Sequence, residues 1–119
     1  MTKDELERDG QQKAERALNS QGYEILDRNW RTAEGEIDLV ARDGDALVFI
    51  EVKTRTSTRF GHPFEAITPG KLVHLRRLAA SWIAAKGLIA GITRIRIDAI
   101  GVIAPKGQPA SIEHLEGIF

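Results

Sequence analysis

The hydrophobic pattern of this chain changes period several times, and each change predicts an element. In TKDELERDGQQKAERALNS, Leu6, Gly10, Ala14, Ala17 and Leu18 fall on one helical stripe, while Thr2 and Glu5 form a capping box. A helix is predicted there, weakened by Gly10. Gly22 ends it, and Tyr23 to Arg31 (YEILDRNWR) predicts a strand of irregular alternation. GEIDLVA and ALVFIEVKT then flank Arg42-Asp43-Gly44-Asp45. An Asp-Gly pair between two apolar strands is a strong hairpin signal.

Arg55 to Ile67, rich in Thr, Ser, Gly and Pro, has no clear period and predicts an ordered loop or partial lid. Thr68 and Pro69 then combine an N-cap with proline at the first helical position. Leu72, Leu75, Leu78, Ala79, Trp82 and Ile83 make the apolar stripe of a second helix, stopped near Gly87. Thr93 to Ala104 alternates Arg with Ile before turning wholly apolar, as a strand entering a core does. A turn over Pro105 to Pro109 leads to a short last strand, Ser111 to Leu115. Helix, three strands, helix and two strands imply an α/β fold with a mixed central sheet flanked by helices.

Composition narrows the function classes. With 119 residues the expectation is one domain, 1–119, able to bury a core without staples. Seventeen basic and seventeen acidic side chains cancel, so any nucleic-acid-binding surface must be local. The absence of cysteine excludes disulfides, zinc-thiolate sites and thiol catalysis. The polar start and the lack of a long apolar run predict a cytoplasmic protein with no membrane partner.

The hairpin carries the candidate chemistry. A two-residue loop, Asp43-Gly44 or Gly44-Asp45, puts Asp38 on the same sheet face as Glu51 and Lys53, whereas a regular three-residue loop would separate them. That face would hold Val40, Leu47 and Phe49 near the turn and Glu36, Asp38, Glu51 and Lys53 farther away. Two converging carboxylates repel and lose hydration unless positive charge lies between them. A hard cation such as Mg²⁺, with Mn²⁺ as substitute, takes one or two protein carboxylates and fills the rest of its shell with water and phosphate. Asp38, Glu51 and the carbonyl of Val52 could hold it. The cation would polarise a scissile phosphate and lower the pKa of a water, with Lys53 orienting that water or stabilising charge on the phosphorane. On spacing alone, a solvated strand end explains the charges equally well.

GEIDLVA followed by LVFIEVKTR resembles the D-x(n)-E-x-K core of the PD-(D/E)XK nuclease superfamily. Gly22-Tyr23, Arg28-Asn29-Trp30-Arg31, Gly35 to Leu39, Phe49 to Arg55, Phe60-Gly61, Lys71 and Arg96 to Val102 are similar to the YraN-like family of uncharacterised bacterial proteins. The resemblance implies a restriction-endonuclease-like αβββαβ core, catalytic positions at Asp38, Glu51 and Lys53, and Mg²⁺-dependent hydrolysis of DNA, on branched or damaged DNA among other substrates. One position departs: where that family usually has Gly-Glu in its first helix, this chain has Gly10-Gln11, with Glu7 and Glu15 one turn to either side. The alternative is a nucleic-acid-binding or adaptor protein that keeps the fold with little or no activity. Gln11 and the neutral net charge favour it.

Gln11 and Glu36 are accessory candidates, Gln11 as a neutral amide able to hydrogen-bond a metal-bound water, Glu36 as a metal-water ligand or as a solvent-facing edge residue. Arg28, Arg31, Arg55, Arg59 and Lys71 are the candidate phosphate contacts, which position a nucleic acid without specifying its sequence. Trp30 is assigned to the core in preference to base contact, and Trp82 to the core. His62, His74 and His114 show no ligand spacing, and Asp98 is expected to pair with Arg96 or a hairpin arginine. A homodimer would suit a two-strand cutter.

Overall fold

The computed structural model describes residues 1–118. Helix α1 (Lys3–Ser20) is followed by strands β1 (Glu24–Thr32), β2 (Gly35–Asp43) and β3 (Ala46–Arg55), a 3₁₀ turn at Pro63–Ala66, helix α2 (Pro69–Lys86), and strands β4 (Arg94–Ile103) and β5 (Ser111–Leu115). The αβββαβ order expected from the sequence is present, with β5 added at one edge. The strands form one sheet in the order β1-β2-β3-β4-β5. All neighbours are antiparallel except β3 and β4, which are parallel. A parallel pair needs a long crossover, and the segment carrying α2 provides it.

Local chemistry explains the boundaries. Thr2 accepts from the Glu5 N–H and the Glu5 carboxylate accepts from the Thr2 N–H, completing the α1 capping box. Thr68 caps α2, with Pro69 just inside it. The β2–β3 turn is the two-residue Gly44-Asp45 loop, with Asp43 opposite Ala46. Gly44, at φ 59°, occupies the first central position, where a tight hairpin turn of the II′ kind needs positive φ.

The sheet separates two cores. Ala14 and Leu18 of α1 pack with Tyr23, Leu39, Val48, Ile50, Ile100 and Val102. On the other face, Leu75, Leu78, Ala79 and Trp82 of α2 pack with Ile37, Val40, Leu47, Phe49 and Ile97. Trp82 is core as expected, edge-on to Phe49, and its indole N–H donates to Asp27 at 2.9 Å. Trp30 is partly buried against the same core. β3 is covered on both faces, which is why its first five residues are all apolar and buried. Among the described residues no helix is long and apolar enough to cross a membrane.

Candidate metal centre at the open end of the hairpin

The β2–β3 ladder runs from Asp43↔Ala46 to Leu39↔Ile50 and stops there. One step beyond, the Asp38 carboxylate takes over, and its Oδ2 accepts from the Val52 N–H at 2.8 Å. On the other flank, β1 pairs with β2 at Arg28↔Leu39 and Trp30↔Ile37 but not at Asn29 and Asp38. Asn29 is the one non-glycine residue with positive φ, 49°, among the described residues. Asparagine tolerates that conformation better than most side chains. Ile37 and Val40 both lie in the α2-side core, so β2 loses its period-two alternation between them. Asp38 therefore sits at a break in both ladders. Strict parity predicts that Asp38 meets Glu51 across a regular ladder; in the fold it reaches the end of β3 through this break.

Glu51 continues the Phe49 side of β3 and is only 4% exposed. Its Oε1 lies 3.3 Å from Lys53 Nζ and 3.7 Å from Lys71 Nζ, the latter from the first turn of α2. Asp38, Glu51, Val52, Lys53 and Arg55 line a cavity of about 560 Å³, closed on one side by Asp4, Glu7, Arg8 and Gln11 of α1 and on another by Asn29, Arg31 and Glu36. Burial, and then the Glu51 carboxylate beside it, pushes the Asp38 carboxyl up to about 7, against the opposing Val52 N–H and Lys53 ammonium.

No group of three or more His, Asp or Glu side chains among the described residues makes a ready-built cation cage. The carboxylates that line the cavity are those of Asp38 and Glu51, with Asp4, Glu7 and Glu36 at its walls and the Val52 backbone beside them. That all-oxygen set fits a hard cation that keeps most of its water, and does not fit Zn²⁺, which wants nitrogen or sulfur ligands. Burial of Asp38, and then the Glu51 charge beside it, outweigh the Lys53 ammonium, so added positive charge would favour the ionised Asp38 carboxylate.

The model of the family described as "Uncharacterised protein family UPF0102" matches residues 10–102. The chain belongs to the UPF0102 family. It is 49% identical over 116 residues to a UPF0102 protein of Beutenbergia cavernae, covering 98% of this chain and 97% of that one. It is equally similar, at 49% with the same coverage, to one from Leifsonia xyli subsp. xyli. A UPF0102 protein of Renibacterium salmoninarum is 50% identical over 117 residues, 98% of each chain. These names carry no activity.

In this UPF0102 chain the remaining predicted residues divide sharply. Gln11 is in the site, where its Nε2 donates to the Asp38 carbonyl at 3.3 Å. Its amide thus holds the broken strand, a role an ionised Glu could not fill because it has no N–H. Glu7 lines the cavity, whereas Glu15 binds Arg28 and lines the adjoining groove. Arg31 pairs with Glu36 at 2.8 Å, so both flank the cavity as an ion pair. Arg55 lines the cavity; Arg59 lies beyond it in the following loop. His62 caps the 3₁₀ turn through Nδ1 and contacts Glu113, a capping role. Sequence reasoning missed Asp4 and Arg8. Asp4, Arg8 and Gln11 stand four and three residues apart, and that one-face helical spacing was the available signal.

Gly10 explains how α1 gets close enough. A Cβ added there would lie 1.9 Å from Thr54 Oγ1, 2.8 Å from its Cγ2 and 2.9 Å from its Cβ. Gly10→Ala is therefore expected to lower stability by roughly 1–2 kcal/mol, overpacking outweighing the gain in helix propensity. It should also shift Gln11 off Asp38. Thr54→Ala in the same chain should relieve only part of the loss, since the Thr54 Cβ contact survives. Urea unfolding of the single and double variants checks this; an Ala variant as stable as the parent would show that α1 can step back freely.

Proposed function

We propose that this protein is a divalent-cation-dependent nuclease that hydrolyses DNA phosphodiester bonds. The observation that carries the reading is the meeting of Asp38, Glu51 and Lys53 at the splayed end of the hairpin, inside a polar cavity bordered by Arg55. The resemblance to the D-x(n)-E-x-K nucleases supplies the substrate class. Asp38, Glu51 and the Val52 carbonyl would hold Mg²⁺ or Mn²⁺. When bound, the cation supplies positive charge to a phosphodiester oxygen and makes water at the site more acidic. Lys53, with its ammonium beside Glu51, stabilises negative charge developing on the phosphate, and Arg55 holds the adjoining backbone. Burial of Glu51 keeps water competition low around these charges. A cytoplasmic location, expected from composition, goes with this reading.

A second reading has a specific observation in its favour. The Gln11 amide is committed to the Asp38 carbonyl, so α1 contributes no carboxylate at that position. A nucleic-acid-binding protein that keeps the fold without cutting is consistent with that. Calorimetric titration of Mg²⁺ and Mn²⁺ into wild type and Glu51→Gln, with cleavage assays on linear, single-stranded and four-way-junction DNA, separates the two. The nuclease reading expects cation binding and cleavage in wild type, both reduced more than about 100-fold in the variant, since even outer partners of metal sites cost 10–100-fold. Salt-dependent DNA binding without cation binding or cleavage would replace it with the second reading.

A further inference from the structure

Phe60 is the most exposed large apolar side chain among the described residues, at 93%. It follows Arg55, the last residue of β3 and part of the cavity wall, by five residues. A fully extended chain would place it no more than about 17 Å away. The segment between is pinned. The Gly61 N–H donates to the Thr58 carbonyl at 3.0 Å, and the Arg59 N–H donates to Ser57 Oγ at 3.3 Å. Gly61 has φ 113°, and a Cβ there would meet the Glu65 carboxylate at 1.8 Å, so the turn that presents Phe60 depends on glycine. Ahead of it the Ala104 N–H donates to the Arg55 carbonyl at 2.8 Å; after it His62 caps the 3₁₀ turn and contacts Glu113. The ring is thus held in solvent by a short anchored loop. The Arg59 guanidinium stands 5.7 Å from its centroid.

A bare aromatic ring next to a guanidinium is a platform for a flat, electron-rich partner, and Arg59 at the ring with Lys53 and Arg55 in the cavity wall suits a polyanion. Nucleobases combine both properties. Bases inside an intact duplex already have both faces covered, so only unpaired or unstacked bases offer one. Resting on the nucleic-acid substrate proposed above, we infer that Phe60, backed by Arg59, stacks on an unpaired base next to the cleavage site. It thereby selects single-stranded segments and junctions over continuous duplex.

Binding of oligonucleotides carrying 2-aminopurine, measured without divalent cation and again with Ca²⁺, tests this on wild type, Phe60→Ala and Phe60→Tyr. Wild type is expected to quench the probe in single-stranded and junction DNA and to bind these about tenfold more tightly than duplex. Phe60→Ala should lose the quenching and the preference while keeping its urea midpoint and its salt-dependent duplex binding, and Phe60→Tyr should retain all of them. Unchanged quenching and preference in Phe60→Ala would overturn the inference. So would a Phe60→Ala variant whose only change is a loss of self-association in sedimentation, which would assign the ring to a protein contact. Cleavage assays on the same proteins keep the two proposals apart. Cutting that ignores Phe60 leaves the nuclease reading intact and removes this one, while Phe60-dependent quenching without any cutting does the reverse.

Discussion

Asp38→Asn is expected to yield a more stable protein that no longer binds a divalent cation. The Asp38 carboxyl is pushed from an ordinary 3.8 to about 7 by burial and then by Glu51. With the folded value raised, the folded chain binds more protons than the unfolded chain between those two pH values. Stability therefore falls as pH rises from about 4 to 7 and levels off above that. Asparagine is neutral and keeps an oxygen to accept from the Val52 N–H. It should remove that slope and gain roughly 2–4 kcal/mol at pH 8. The function expected to be lost is the cation binding proposed above. A cation must displace the proton, so affinity in wild type should drop about tenfold per pH unit below pH 7 and be absent in the variant. Urea unfolding at pH 5 and pH 8, with Mg²⁺ and Mn²⁺ titrations at pH 6 and pH 8, checks both halves. A variant less stable than wild type at pH 8 would mean that the ionised Asp38 carboxylate costs the fold nothing.

The contrast between Asp38 and its surroundings also shows what the chain discloses about itself. The hairpin was legible because its turn chemistry and alternation agree: Gly44-Asp45 closes it, and Val40, Leu47 and Phe49 share one core as parity requires. Capping residues likewise marked both helices. The site itself was legible only as residue types. Period-two counting cannot reveal that the β1–β2 ladder skips the pair Asn29 and Asp38, because the gap is written in backbone torsions that no apolar pattern encodes. Nor does it reveal that Gly10, which looks like a flaw in a helix, leaves the room that lets α1 pack against Thr54 of β3. Pairings far apart in sequence were hidden for the same reason. Arg28 looked available for phosphate until the fold brought Glu15 to it, and His114 had no assigned partner until β5 laid it against Asp98.

Asp98→Ala is expected to cost about 3–5 kcal/mol, the range for removing one partner of a buried ion pair. Asp98 is fully buried on β4 and accepts hydrogen bonds from three directions. Arg96 donates through Nε to Oδ1 and through Nη2 to Oδ2, both at 2.9 Å; His114 Nε2 lies 2.7 Å from Oδ2; the Gly117 N–H donates to Oδ1 at 2.9 Å. Arg96 reaches on to Asp43 and to the Tyr23 hydroxyl, so the carboxylate ties β5, β4, the end of β2 and the turn between α1 and β1 together. Burial pushes the Asp98 carboxyl up, but the hydrogen bonds from His114 and Arg96 and the Gly117 N–H outweigh it and hold the group below its ordinary value. Its contribution is therefore complete above about pH 4 and is lost as pH falls through the lowered folded value, the opposite sense to Asp38. Alanine would leave Arg96 nearly buried with Asp43 at 3.1 Å and Glu116 at 3.9 Å as its carboxylate partners, and would remove the hydrogen bonds to His114 and Gly117. Replacing Arg96 with Met as well should recover part of the loss, because an unpaired buried charge is what makes the single variant so costly. Urea unfolding at pH 7 gives the energies, and hydrogen exchange of the β5 amides reports whether that strand is the part that loosens. A loss below about 1 kcal/mol with β5 protection unchanged would show that the strand is held by its ladder to β4 alone.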